Sequence, residues 1–388
     1  MNTKMLILIV NCGSSSAKYQ LFDAERHRFL AKGIVERIGH PNSSLRHRTN
    51  SDRSLARNVP CKDHHVAIEI IVRTLTDGRC GVIRSKGEIK GIGHRVVHGG
   101  EEFKASTLIT PKVIRSIVKY SELAPLHNPP SLFGIRACSE ILKGIPQVAV
   151  FDTSFHQTMP PHSFMYALPY RLYTKYGIRR YGFHGTSHRF VAEEAARKLW
   201  RPLKGLKLIT CHLGTGCSIT AVDGGKSVDT SMGFTPLEGL IMGTRSGDID
   251  PAVVFYLMEK ERLSPVEVSD LLNKESGLLG VSGASNDMRD VIKASKGKGK
   301  RPERASLALD MFIYRIEKYI GAYMAAMGGL DAVVFTAGIS ENNPWLVKRI
   351  ENDLRGIVPP EAKFLVVPTN EELLIARDTY KIIKMRRK

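Results

Sequence analysis

The feature that most constrains this chain is a pattern that occurs twice. Met5–Val10 is an unbroken apolar, β-prone run. It meets the small-residue turn Asn11-Cys12-Gly13-Ser14-Ser15-Ser16, after which Ala17–Phe22 alternates apolar with polar. Far along the chain Leu206–Thr210 is a second such run. It ends at His212-Leu213-Gly214-Thr215-Gly216, and Ser218–Val222 resumes as a strand. Short apolar runs bounded by Gly and Ser read as buried strands, and a small-residue turn between two of them closes a tight connection. Two copies predict a duplicated α/β domain, each half offering its turn towards one cleft. The length, 388 residues, leaves room for two to three domains. A hydrophobic content of 43% supplies a core and excludes global disorder.

The remaining punctuation is coarser. Pro41–Lys62 is polar, basic and poor in large apolar residues, and reads as irregular and exposed. His65–Leu75 and Ala192–Trp200 read as helices, and Gln147–Phe151 as a short buried strand. Asp250-Pro251 opens a helix with Asp as N-cap and Pro in the first turn. Lys293–Arg304 is a basic, Gly-containing stretch. Ala305–Met327 is a long helix closed by Gly328-Gly329. Ala332–Phe335 is a buried strand, and Ala337-Gly338 turns into a helix near Pro344.

Met5–Val10 is far short of the ~20 residues of a membrane helix, and Asn11 interrupts it before it is long enough for a secretory segment. The six cysteines form no CxxC pair. Free buried thiols in a reducing cytoplasm are expected, without a membrane partner.

Four Gly-flanked loops carry Arg, His or Asp: Gly93–Gly100 with Arg95, Asp152–His156, Tyr181–His188 and Gly243–Asp248 with Arg245. One such arginine or histidine is ordinarily structural; four clusters are harder to dismiss. Asn11–Lys18 and Gly214–Gly216 each offer main-chain N–H groups as an anion nest, although either alone also reads as a plain turn. Neither has Walker A spacing, and the dinucleotide fingerprint is absent. His184 and His188 are four apart, but no HExxH occurs and Gly185 argues against a helix there, so zinc is the weaker reading. Guanidinium groups, a lysine and two nests suit phosphate oxygens. Asn11, Asp152 and Glu371 offer oxygens for Mg²⁺. Together they form a phosphoryl-transfer kit.

The same motifs resemble one family. Val150–Pro160, Met242–Asp248, Asn11–Lys18, Arg95–Gly100, Leu126–Pro130, Tyr181–His188 and Phe335–Ile339 match the acetate kinases in order and spacing, from Leu6 to about Thr379. That family sits within the acetate and sugar kinase, heat-shock 70, actin superfamily. The resemblance implies two duplicated ribonuclease H-like (actin-like ATPase) domains with an interdomain active-site cleft. One domain takes residues 1–152 plus 373–388, and the other takes 153–372. It implies reversible, direct in-line phosphoryl transfer from ATP to acetate, giving ADP and acetyl phosphate, with Mg²⁺ (or Mn²⁺), and a cytoplasmic homodimer. Carried over by position, Arg95, Arg245, His184 and Asp152 are the catalytic set. Arg95, Val97, Leu126, Phe183 and Pro236 bind the substrate. Lys18, His212, Leu213, Gly214, Thr215, Gly216, Asp287, Met288, Arg289, Gly338, Ile339, Ser340, Glu341 and Asn342 contact the nucleotide. Asn11 and Glu371 hold the metal.

Thr215 stands where the family usually has Asn, and Ser340 replaces a usual Gly. A positive φ at Ser340 would strain it. Propionate or another short-chain carboxylate is the alternative substrate. A different class of reading comes from the net charge of +19: a basic polyanion- or nucleic-acid-binding protein. Residues 41–62, 291–304 and 381–388 carry net +4, +5 and +5 of it. The first two lack the interleaved aromatics that stack bases, which disfavours nucleic acid.

Overall fold

The computed structural model describes residues 4–386. The chain forms two compact units, Met1–Phe155 with Asn370–Lys388, and His156–Thr369. The first unit holds strands β1 (Leu6–Gly13), β2 (Ser16–Asp23), β3 (Arg28–Glu36), β4 (Ser44–Thr49), β5 (Ser54–Asn58), β6 (Ile89–Val96), β7 (Thr107–Leu108) and β8 (Gln147–Phe151). They are ordered β5-β4-β3-β2-β1-β6-β8-β7. The second unit holds β9 (Lys207–Leu213), β10 (Cys217–Asp223), β11 (Lys226–Thr230), β12 (Ala332–Thr336) and β13 (Lys363–Val366), ordered β11-β10-β9-β12-β13.

The duplication lies in the pairing. In the first unit β1 runs antiparallel to β2 and parallel to β6, β3 extends β2 antiparallel, and β8 extends β6 parallel. The second unit repeats each of these relations with β9, β10, β12, β11 and β13. Each hairpin turn foreseen in the sequence therefore sits at the end of its central strand.

β1 is apolar from Leu6 to Val10 because both its faces are covered there. Leu6, Leu8 and Val10 pack with the helices His64–Leu75 and Asn128–Ile141. Ile7 and Ile9 face the other way, onto Ile375, Ala376 and Ile383 of the C-terminal helix Glu371–Arg386. That helix lies close to β6 because β6 carries glycines there. A Cβ on Gly93 would sit 2.5 Å from Thr379 Oγ1. A border at residue 373 would cut this helix; the compact unit takes it whole, and Glu371 with it.

Several local expectations change. Residues 41–62 are not irregular: they include β4 and β5, an antiparallel edge pair. The period-2 signal is present, with Leu45, His47 and Thr49 buried and Arg46 and Arg48 out, but only one of the three is a large apolar residue. The helix expected from Ala192 starts at Gly185 and runs to Lys198, with His184 as its N-cap. Gly185 thus opens the helix rather than breaking it. The basic stretch 293–304 is helical at both ends around a non-helical Ser295–Gly299, since one helix ends at Ala294 and the next spans Lys300–Met327. The helix after Asp250 begins at Ala252 with Pro251 as its cap residue. Ala337–Asn342 is itself a short helix ahead of Pro344–Asp353. All six cysteines are free and buried. No helix among the described residues is long and apolar enough to cross a membrane.

Candidate active site

In the first unit the parallel strands β6 and β8 end side by side, which brings Arg95 to Asp152. Arg95 Nε donates to both carboxylate oxygens at 3.2 and 3.1 Å, and Nη2 donates to Oδ2 at 2.6 Å. Asp152 is buried and its main-chain N–H is bound by Val96 O at 2.9 Å. Such a fork is among the strongest and most directional contacts a guanidinium makes. It leaves Nη1 of Arg95 without a protein acceptor among the described residues. Glu371, at the first turn of the C-terminal helix, lies 3.8 Å from Arg95 Nε. Burial pushes its carboxyl well above the usual range, and Asp152 and Glu372 push it further, against the pull of Arg95 and Lys18. Arg95 itself is held more firmly charged: burial works against it, but Asp152 and Glu371 outweigh burial. Asn11 and Lys18 face each other across the β1–β2 ladder and share a cavity of about 390 Å³ with Glu372.

The second unit holds its groups differently. Arg245 is half-buried. Its Nη1 contacts Pro236 O at 3.3 Å and Met242 Sδ at 3.5 Å, and no carboxylate lies within ion-pair distance among the described residues. Burial lowers its pKa from the ordinary arginine value. Its loop is pinned from behind. Met242 N donates to Arg245 O, and Met242 O and Gly243 O accept from Leu278 N and Leu279 N. Gly277 is obligatory in that support, with φ +61° and a would-be Cβ 2.2 Å from Met242 O. At Gly216 a Cβ would meet Arg245 Nη1 and His184 Cε1, both at 3.4 Å. The Gly214–Gly216 turn thus lies against both side chains. His184 takes a left-handed conformation, φ 56° and ψ 22°, which costs a non-glycine residue about 1–2 kcal/mol. Its ring stacks on His212 at 4.3 Å.

Gly214, Thr215, Asp287, Met288, Arg289, Gly338, Ile339 and Asn342 line one cavity of about 480 Å³ in this unit, together with Asn286 and Asn343. The last two were not singled out in the sequence, although each adjoins a residue that was. Arg289 forks onto Asp287 at 3.0 and 2.6 Å and holds that carboxyl at about 2. His212, Leu213, Gly216, Ser340 and Glu341 are not among the residues lining this cavity. Glu341 accepts the Ala337 N–H at 2.8 Å. Ser340 is buried inside the short helix, and its Oγ donates to Thr336 O at 2.7 Å. Strain at Ser340 is therefore absent; the residue with positive φ is Ala337, at 69°. Of the substrate-side residues, Val97 and Phe183 are buried, Pro236 is half-buried, and Leu126 is 69% exposed.

No cluster of three or more His, Cys, Asp or Glu among the described residues could cage a metal. The zinc reading has no support there. Mg²⁺ asks for less: one or two hard oxygens, with waters and phosphates completing the octahedron. Asn11 and Glu371 supply such oxygens. The crowding of Glu371, Asp152 and Glu372 that raises the Glu371 carboxyl is relieved by an added cation. The donor set fits.

Comparison with known proteins agrees with this chemistry. A profile of the acetokinase family matches residues 6–359. The acetate kinase of Halothermothrix orenii is 56% identical over 98% of this chain and all of its own length. That of Methanosarcina acetivorans is 54% identical over 99% of each. Among solved structures, Porphyromonas gingivalis acetate kinase superposes with a TM-score of 0.93 at 45% identity, covering 98% of this chain and 100% of its own. A propionate kinase from Francisella tularensis gives 0.89 at 41%, covering 97% and 99%. A family profile spanning residues 6–359 and relatives more than half identical along nearly their whole length show that this chain belongs to the acetokinase family and is a carboxyl-group phosphotransferase.

Proposed function

We propose that the chain transfers the γ-phosphoryl group of ATP to acetate, reversibly and with Mg²⁺, giving acetyl phosphate and ADP. The observation that carries this reading is the contrast between the two arginines. Arg95 is oriented by the Asp152 fork and keeps Nη1 for a carboxylate substrate. Arg245, half-buried and without an acid, suits the charge of a phosphoryl group in flight.

A carboxylic acid titrates near pH ~4, so acetate arrives ionised and needs no general base. Asp152 therefore acts by orienting Arg95. His184 and Arg245 donate to the equatorial phosphoryl oxygens as negative charge spreads over them. The cavity at Gly214, Asp287 and Gly338 takes the nucleoside, and Lys18 contacts its phosphates. Asn11 and Glu371 hold Mg²⁺, which neutralises phosphate charge when bound. Val97, Leu126, Phe183 and Pro236 receive the methyl group. Free buried thiols fit a reducing cytoplasm. Exposed Phe255 and Tyr256 of the second unit fit a homodimer through that unit, so sedimentation should give twice the 43.1 kDa chain mass.

The test is a hydroxylamine trap run with ATP, Mg²⁺ and acetate, propionate or butyrate. Acetyl hydroxamate should form fastest. One methylene in an apolar pocket is worth only ~1–3 kcal/mol. Val97 is bulky for its position and leaves little room for that methylene, so kcat/KM for acetate should exceed that for propionate by about fivefold. A faster reaction with propionate would shift the assignment to a propionate kinase. No hydroxamate with any acid would overturn it.

A further inference from the structure

The Tyr181–His188 motif brings two histidines, and the reaction as described uses only His184. His188 is fully buried one helical turn later, and the fold gives it specific partners. Thr210 and His212 of β9 pair in register with Thr220 and Ser218 of β10. Residues two apart on a strand point to the same face, so Thr210 and His212 share a face with Ser218 and Thr220. The helix Gly185–Lys198 sets His188 on that face, with His184 at its cap. Ser218 Oγ lies 2.9 Å from His184 Nδ1 and 2.7 Å from His188 Nε2. Thr210 Oγ1 lies 2.8 Å from His188 Nδ1. Ser218, His188 and Thr210 have no solvent-exposed surface.

Counting protons along this chain restricts the states available. A serine hydroxyl has one proton and two lone pairs. Among the described residues the buried Ser218 Oγ has no acceptor other than these two ring nitrogens, so it donates to one and accepts from the other. His188 is neutral: burial first, then the neighbouring His156 and His212, hold its pKa well below the ordinary histidine value. Two arrangements remain. In the first, Thr210 donates to His188 Nδ1, His188 Nε2–H donates to Ser218, and Ser218 donates to His184 Nδ1. In the second, every proton is reversed. The Thr210 hydroxyl must then turn to Thr220 O, 3.4 Å away, which is beyond a good O–H···O distance. The first arrangement places every hydroxyl proton in a bond of 2.9 Å or less. Its consequence falls on His184. A ring that accepts at Nδ1 is neutral and carries its proton on Nε2.

We propose that Ser218, His188 and Thr210 are positioning residues that fix His184 as the neutral Nε2–H tautomer, a ready hydrogen-bond donor for phosphoryl oxygens. The charged neighbourhood is consistent with this. The ring of His212 stacks on His184, and the guanidinium of Arg245 lies across Gly216 from it. A neutral donor avoids adding a second cation beside Arg245.

The inference rests on the reading of His184 as a donor to the transferring group, and the two can fail separately. Neutron diffraction from crystals of the perdeuterated protein locates the ring deuterons directly. The expected map has deuterons on Nε2 of both His184 and His188 and none on their Nδ1 atoms. A deuteron on His184 Nδ1 would overturn the proposal, whatever the enzyme's activity. For function, Ser218→Ala should lower kcat about tenfold, the scale of losing a residue that orients a working histidine, while KM for ATP and acetate stays within about twofold. Thr210→Val, which touches neither His184 nor any substrate, should also lower kcat several-fold without moving KM. Wild-type kcat in both variants would refute the positioning role. Full turnover in His184→Ala would instead refute the reading of His184 itself.

Discussion

At the scale of the residue, the two arginines make opposite demands. Arg245 has no acid to neutralise it, so its charge is available to the reaction. Removing it should resemble the loss of an arginine finger: Arg245→Ala should lower kcat on the order of 10³-fold or more, measured with saturating ATP and acetate. Near-normal turnover would dismiss its assigned role. Asp152 touches Arg95 through both oxygens and should behave as an orienting group. Asp152→Asn, which keeps the shape and loses the charge, should cut kcat yet leave the form of the pH–rate profile unchanged; a lost titrating limb would mean that Asp152 moves a proton. What could be read from sequence at this scale was residue type and loop setting: Gly-flanked arginines and histidines. The partnerships could not be read. Arg95 and Asp152 are 57 positions apart, and only the parallel pairing of β6 with β8 joins them. His188 was visible in its motif, but its partners come from two strands whose register the sequence does not display.

At the scale of the element, local signals succeeded where apolar runs or end residues were strong. The central strands, the helix at 64–75 and the Gly328 stop on the long helix all follow from them. They failed where tertiary packing overrode propensity. β4 has few large apolar residues, yet it forms because β3 offers it an edge. Glycine at 185 starts a helix because His184 accepts a left-handed turn before it. The most instructive reversal is Ser340. Beside the cavity lined by Gly338 and Ile339, a serine in place of glycine reads as a strained residue. In the structure it is an interior helical residue whose hydroxyl binds the preceding turn. Ser340→Gly should therefore leave KM for ATP within about twofold and cost about 1 kcal/mol of stability, the penalty for glycine within a helix. Denaturant unfolding and steady-state kinetics together check it. A marked gain in ATP affinity without loss of stability would mean that the Ser340 side chain hinders the nucleotide.

At the scale of the whole molecule, the duplication was legible because two hairpins repeat in sequence, and it survives as two sheets with one pairing scheme. The charge was legible only as a sum. In the fold, part of the basic excess is structural. Arg53 binds the carbonyls of Arg79 and Gly81. Arg46 and Arg48 pair with Glu36 and Asp52. Arg304 donates to Gly280 O and Val281 O, at the C-terminal end of the short helix whose first turn pins the Arg245 loop. Guanidinium groups spent on carbonyls and carboxylates make poor phosphate contacts, and exposed charges are screened beyond ~8 Å at physiological ionic strength. Binding to duplex DNA draws on several simultaneous phosphate contacts and falls steeply with salt. The chain should therefore be retained on duplex DNA only well below about 0.15 M salt, and saturating DNA should leave turnover unchanged. Retention at that salt, abolished by substituting the lysines of 293–300, would show that the periphery serves a polyanion after all.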